Sequence, residues 1–156
     1  MTVSVYIEKT ELAKELETKF GIDFSLAQNH ILDAGYDVRA CIDKVIFILP
    51  GYRHLVPTGL KFKLSPENYE IQVRPRSGLA AKNGIMVVNS PGTVDAGYRD
   101  EVQIILYNSG GEVFNIKPGD RIAQLCFREI PHVALFSVTE LPEGADRRGG
   151  FGSSGI

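Results

Sequence analysis

No stretch of this 156-residue sequence stays apolar for anything near the roughly 20 residues that cross a bilayer as a helix. Cysteine is scarce: Cys41 and Cys126 are the two, both in apolar, strand-like surroundings. Sparse and far apart, they read as reduced core residues rather than as a disulfide or a metal site. An excess of one charge is missing too, since 17 Lys and Arg face 19 Asp and Glu for a formal net charge of −2. There is no global basic field to draw nucleic acid or a membrane surface, so an anionic ligand needs a local site. The N-terminus, MTVSVYIEKTELAK, lacks a basic segment followed by an apolar one and shows no secretory signal. The expectation is an intracellular protein, cytoplasmic first, with the nucleus or a virus-infected cell left open.

Several chemical signatures are absent as well. His30, His54 and His132 have no metal-ligand spacing, no Ser/His/Asp or Cys/His arrangement is defensible, and no G-x-x-x-x-G-K-[ST] occurs. Gly150, Gly152 and Gly155 do spell G-x-G-x-x-G, but only Ile156 follows. That fingerprint must open a helix after a strand, so a dinucleotide fold is excluded on context.

What is present is strand. Apolar content of 44% and charged content of 23% are those of an ordinary globular domain. Residues Glu8 to Phe20 carry Leu12, Leu16 and Phe20 at i, i+4 and i+8 among good helix formers, which predicts one helix, weakly capped by Thr10 and ended by Gly21. From Gly35 onward the pattern is short apolar runs: YDVRACI, KVIFIL, RHLVP, LKFKL, YEIQVRP, IMVV, EVQIILYN, EVFNIK, RIAQLCF and VALFSV. Pro, Gly, Asn and Asp punctuate them, as in a β-sandwich or barrel. RSGLAAKNG alone suggests a helical turn inside this region. The division expected is a β domain over residues 1–142, with 1–33 as an N-terminal segment, and a flexible Gly-rich tail over 143–156.

Within that frame a few constellations carry chemistry. NSPGTVDAGYRDE, Asn89 to Glu101, is longer than a hairpin between IMVV and VQIILY needs. RPRSGLA puts Ser77 and Gly78 at a predicted helix start, where backbone N–H groups attract anions, with Arg76 beside them. Asp37 opens a strand in AGYDVRA. Gln124 stands in the otherwise apolar RIAQLCF and needs a partner if buried. In the tail, Arg147, Arg148, Phe151 and Ser153 among glycines offer phosphate contacts and a ring to stack on a base.

In order and approximate spacing, AGYDVRA, RPRSGLA, NSPGTVDAGYRDE, GDRIAQLCF and RRGGFGSSG resemble the five motifs of the trimeric dUTP pyrophosphatases, the dUTPases. The resemblance spans Ala34 to Gly155. It implies a distorted jelly-roll of β-strands, a homotrimer with shared active sites, and Mg²⁺-dependent hydrolysis of dUTP to dUMP and pyrophosphate. Such a reaction limits uracil in DNA and supplies dUMP for thymidylate synthesis. By motif, Asp95 is expected to activate water for attack on the α-phosphorus. Asn89 and the backbone of Gly92, Thr93, Val94 and Asp95 would read uracil, Tyr98 would lie against deoxyribose, and Gln103 joins the substrate-binding set. Arg76, Ser77, Gly78 and Gln124 would clamp phosphates, and Asp37 would hold Mg²⁺ through its waters. Arg147 or Arg148, Phe151, Gly152, Ser153 and Ser154 would form a lid donated across the trimer.

Ala96 and Gly97 stand where the family pattern carries a second acid before the tyrosine, a spacing closer to the related dCTP deaminases. Those enzymes use a glutamate ten positions after the aspartate, and Ile105 occupies that position here. The lid is one residue shorter between arginine and phenylalanine than the common pattern, and Asp100 replaces a usual glycine. The expected function is therefore a dUTP diphosphatase. A deaminase-like enzyme is the alternative, as is a nucleotide-switched binding module using Glu8 to Asn29.

Overall fold

A computed structural model describes residues 2–144 of the chain. In order these form β1 (Ser4–Lys9), α1 (Glu11–Phe20), β2 (Tyr36–Arg39), β3 (Ile46–Ile48), β4 (Arg53–Pro57), β5 (Leu60–Ser65) and β6 (Tyr69–Arg74). Then come α2 (Ser77–Asn83), β7 (Ile85–Val87), β8 (Gly92–Val94), β9 (Gln103–Asn108), β10 (Phe114–Ile116) and β11 (Arg121–Glu129). Antiparallel pairing arranges a four-stranded sheet β2-β11-β6-β8, a three-stranded sheet β4-β9-β7, and the pairs β1-β5 and β10-β3. Among the described residues no sheet closes on itself, so the sandwich form holds and the closed-barrel form does not.

Alternation explains the core. Leu60, Phe62 and Leu64 of β5, Tyr69, Ile71 and Val73 of β6, and Ile104 and Leu106 of β9 point inward and form one cluster with Val56, Ile116 and Leu125. Burying each such side chain contributes about 1.5–3 kcal/mol. Lys61 and Lys63, between the inward residues of β5, face outward.

Three expectations change. The helix does not begin at Glu8, because Glu8 and Lys9 belong to β1, where they pair with Lys61 and Leu60 of β5. Thr10 then caps α1, its hydroxyl accepting from the Ala13 N–H at 3.2 Å, and Gly21 ends it in the left-handed region at φ 66°. The helix buries Ala13 and Leu16, whereas Leu12 and Phe20 are exposed. Gly59 sets that face. A Cβ there would lie 2.7 Å from both Ala13 Cβ and Cys41 Sγ, and its φ of +73° is one that side chains rarely adopt.

VALFSV is the second change. Residues 133–138 have no regular structure, and Leu135 and Phe136 are 90% and 83% exposed. An alternating run becomes a strand only when another edge supplies its ladder bonds, and none within the described chain does. The third change lies in the long hairpin. IMVV and VQIILY do pair, Ile85 with Asn108 and Val87 with Leu106, but their connection contains β8. That strand leaves the sheet of β7 and β9 and pairs with β6 in the four-stranded sheet.

Candidate functional site

One sheet gathers four of the five motifs. Gln124 of β11 is flanked in register by Asp37 of β2 and Arg74 of β6, and Val73 of β6 is flanked by Gly92 of β8. Strands distant in sequence thus stand side by side, with AGYD, RIAQ, RPRSG and PGTVD in one row.

At the far side of that row the connection after β8 makes a small cavity of about 190 Å³, lined by Thr93, Val94, Asp95, Tyr98, Val102 and Gln103. Its floor is anchored. Val102 donates to the Leu60 carbonyl at 2.9 Å, and Thr58 Oγ1 donates to the Val102 carbonyl at 2.7 Å. Its rim closes locally. The Tyr98 N–H donates to the Asp95 carbonyl at 3.0 Å, the Tyr98 hydroxyl donates to the Glu101 carbonyl at 3.2 Å, and Arg99 donates to the Ala96 carbonyl. Asp95 is exposed at the mouth, open to a water and to a reacting centre. Asn89 folds over Gly92, where an added Cβ would stand 3.0 Å from Asn89 Nδ2. Thr93 and Val94 of β8 and Gln103 of β9 form its lining beside Asp95.

A second cluster forms where β6 ends. Asp37 is buried, with Oδ1 accepting from Arg76 Nε at 2.9 Å and Oδ2 from Arg121 Nη1 at 3.1 Å. Arg76 is the N-cap position of α2, with Ser77 and Gly78 exposed in its first turn, where N–H groups have no intrahelical acceptor. Gln124 Nε2 donates to the Pro75 carbonyl at 2.9 Å, which fixes the residue before Arg76. The arrangement offers positive charge and backbone donors, suited to phosphates.

Two arginines on one carboxylate leave little for a directly bound cation, and among the described residues no group of three or more His, Cys, Asp and Glu is arranged to hold a metal. Each Asp37 oxygen still has a second lone-pair direction. The donor set therefore fits Mg²⁺ reached through its waters and does not fit one ligated by the protein.

The structure thus brings Thr93, Val94, Asp95, Tyr98 and Gln103 together around one cavity, and Asp37, Arg76, Ser77, Gly78 and Gln124 around one charge cluster. Arg147, Arg148, Phe151, Gly152, Ser153 and Ser154 lie outside the described residues. Sequence reading assigned no role to Arg121, although the residue stands in GDRIAQLCF, or to Val102, and named Asn29 only as the end of a partner-binding segment. A charge at the head of an apolar strand was the available signal for Arg121.

Comparison with known proteins gives the chain a family. The dUTPase family model matches residues 25–155. A deoxyuridine 5'-triphosphate nucleotidohydrolase of Rhizobium johnstonii is 50% identical over 125 residues, 79% of this chain and 80% of the relative. Among solved structures, a variant of the Staphylococcus bacteriophage 80alpha dUTPase with dUpNHpp has a TM-score of 0.80 at 22% identity, covering 98% of this chain and 99% of that one. A variant dUTPase from phage phi11 of S. aureus, whose structure reveals coordination of a structural Mg(II) ion, has a TM-score of 0.70 at 23% identity, with 92% and 100% covered. The two structural likenesses speak to the fold alone.

Proposed function

The chain belongs to the dUTPase family, and from that premise we propose that it hydrolyses dUTP to dUMP and pyrophosphate, with Asp95 as the base. The observation that carries this is the cavity of Thr93, Val94, Asp95, Tyr98, Val102 and Gln103, a base-sized slot with a carboxylate at its mouth. Uracil enters against β8, whose backbone and Asn89 read its edge. Cytosine presents the reverse donor pattern, and mispaired groups in such a site discriminate on the order of 10⁴-fold. The Tyr98 ring, tied to the loop through its hydroxyl, lies against deoxyribose and leaves no room for a 2′-hydroxyl.

Asp95 accepts a proton from water as the oxygen bonds to the α-phosphorus. The bond from that phosphorus to the α,β-bridging oxygen breaks, and pyrophosphate leaves. Such positioned proton transfer contributes about 10²–10⁴-fold. Arg76, Ser77 and Gly78 hold the leaving phosphates and stabilise the charge they gain. Gln124 keeps the turn before Arg76 in place. Asp37 would hold Mg²⁺ through its waters, and the ion would supply charge neutralisation and orientation.

Assembly as a homotrimer with shared active sites is what membership of the family implies. The exposed run at 133–138 supports the same reading, since it has the alternation of a strand and lacks a partner edge within the described chain. We therefore favour a homotrimer, with the lid supplied by residues 143–156. Both cysteines are free and buried, which fits an intracellular setting.

The deaminase alternative lacks its proton carrier. Ile105 pairs with Leu55 between β9 and β4, and no side chain there titrates. The test is pyrophosphate release from dUTP, UTP, dTTP and dCTP with Mg²⁺. Turnover of dUTP far above the rest supports the proposal, and ammonia release from dCTP contradicts it.

A further inference from the structure

Arg121 has no task in the scheme above, yet it stands at the centre of a hydrogen-bonded chain. Its Nη1 donates to Asp37 Oδ2 at 3.1 Å and to Asn29 Oδ1 at 3.3 Å. The other oxygen of Asp37 accepts from Arg76 Nε at 2.9 Å, and Arg76 Nη1 donates to the Arg121 carbonyl at 3.4 Å. The order is Asn29, Arg121, Asp37, Arg76. It starts in the N-terminal segment and ends at the arginine read as a phosphate ligand. The segment is also tied to Asp37 by backbone, since Ala27 and Asp37 exchange bonds of 3.2 and 2.7 Å.

Charge and geometry give this chain a purpose. An arginine alone with a carboxylate prefers the two-point fork, which engages both oxygens. That pairing would turn Arg76 fully onto Asp37 and cancel its charge. With Arg121 on one lone-pair direction of Oδ2 and its carbonyl drawing Arg76 Nη1 aside, Arg76 meets only Oδ1, and its Nη2 has no acceptor among the described residues. Two guanidinium groups share one carboxylate, so the cluster keeps a net positive charge.

We propose that Arg121 is a positioning residue: by occupying Oδ2 of Asp37 it holds Arg76 in an outward, singly paired pose that receives the triphosphate. This rests on the reading of Arg76 as a phosphate ligand. Arg121 acts on that residue through Asp37, and Asn29 steadies Arg121 from the N-terminal segment.

The test is the Kd of the full-length protein for the imido analogue of dUTP and for dUMP, with Mg²⁺ present. The proteins compared are wild type, Arg121→Gln, Arg121→Lys, Arg76→Gln and the double variant with both glutamines. Arg121→Gln should weaken the triphosphate analogue about 10-fold or more, as loss of a charged hydrogen bond does, and leave dUMP unchanged. Arg121→Lys, which keeps the charge without the fork, should recover part of the loss. In the Arg76→Gln background the second substitution should add little, because residues acting through one another are not additive.

An equal loss for both ligands, no loss for either, or a full second loss in the double variant would overturn the proposal. If Arg76→Gln itself spares the triphosphate analogue, the phosphate reading fails and takes the inference with it. If Arg76→Gln weakens it and Arg121→Gln does not, the inference alone fails. Should Arg121→Gln not fold, Asn29→Ala at an exposed position should shift the triphosphate Kd in the same direction by less, and no shift there would equally overturn the proposal.

Discussion

Gln124 spends one amide hydrogen on the Pro75 carbonyl at 2.9 Å, so its side chain is a brace for the turn that presents Arg76. The space for that brace comes from Gly35. A Cβ at Gly35 would fall 2.1 Å from Gln124 Oε1, closer than any real contact, and the amide would have to leave.

Gly35→Ala is therefore expected to act at a distance on phosphate binding. Overpacking of this kind destabilises by about 1–3 kcal/mol, and the loosened turn should raise the KM for dUTP more than it lowers kcat. Chemical unfolding together with steady-state kinetics checks both parts. A variant with wild-type KM would show that Gln124 can move without disturbing Arg76.

In the proposed scheme Tyr98 carries sugar selection through its ring, while its hydroxyl orders the loop by donating to the Glu101 carbonyl. Tyr98→Phe loses one solvent-exposed bond, to the Glu101 carbonyl, worth about 0.5–1.5 kcal/mol, and should keep the preference for dUTP over UTP. Tyr98→Ala should lose that preference, because nothing then meets a 2′-hydroxyl. The ratio of kcat/KM for the two nucleotides is the readout.

The N-terminal segment is expected to be structural. Leu16, Ala13 and Phe24 form a buried cluster with Cys41, and Lys9 bonds both Glu17 and Asp23 at 2.5 and 3.1 Å. Leu16→Ala should destabilise the fold by about 2–5 kcal/mol, measured by denaturant unfolding. A wild-type midpoint would instead favour the segment as a separate interaction element.

Cys41 gives a pH signature. Burial, with Glu101 and Glu17 nearby, pushes its thiol up from 9.0 to about 11. A raised pKa means the folded state resists losing the proton. The stabilisation is complete below pH 9 and is lost as pH rises through 11. Unfolding free energy should fall across that window, and the folded protein should resist thiol reagents at pH 8. Rapid labelling of Cys41 at pH 8 in the native state would contradict its burial.

The limits of sequence reading follow from which partners are near. LKFKL and YEIQVRP were legible because each alternates cleanly, and both appear as β5 and β6 almost residue for residue. Strand β1 was hidden because its partner β5 lies more than fifty residues on, where only pairing of Ile7 with Phe62 reveals it. β8 was hidden in a turn-rich loop, and its extended form depends on β6. VALFSV misled for the converse reason, a strand pattern with no edge in reach. At the site, Asp95, Tyr98, Arg76 and Gln124 were singled out by motif resemblance. The link from Arg121 to Asp37 crosses 84 positions, and no local pattern encodes it.

The central claim is that Asp95 is the base for water attack on the α-phosphorus. It is tested most directly by single-turnover pyrophosphate release from dUTP by wild type and Asp95→Asn, with the Kd of the imido analogue measured alongside. The account predicts a loss of about 10²–10⁴-fold in rate with the analogue still bound. A rate within a few-fold of wild type would contradict it and move the base elsewhere.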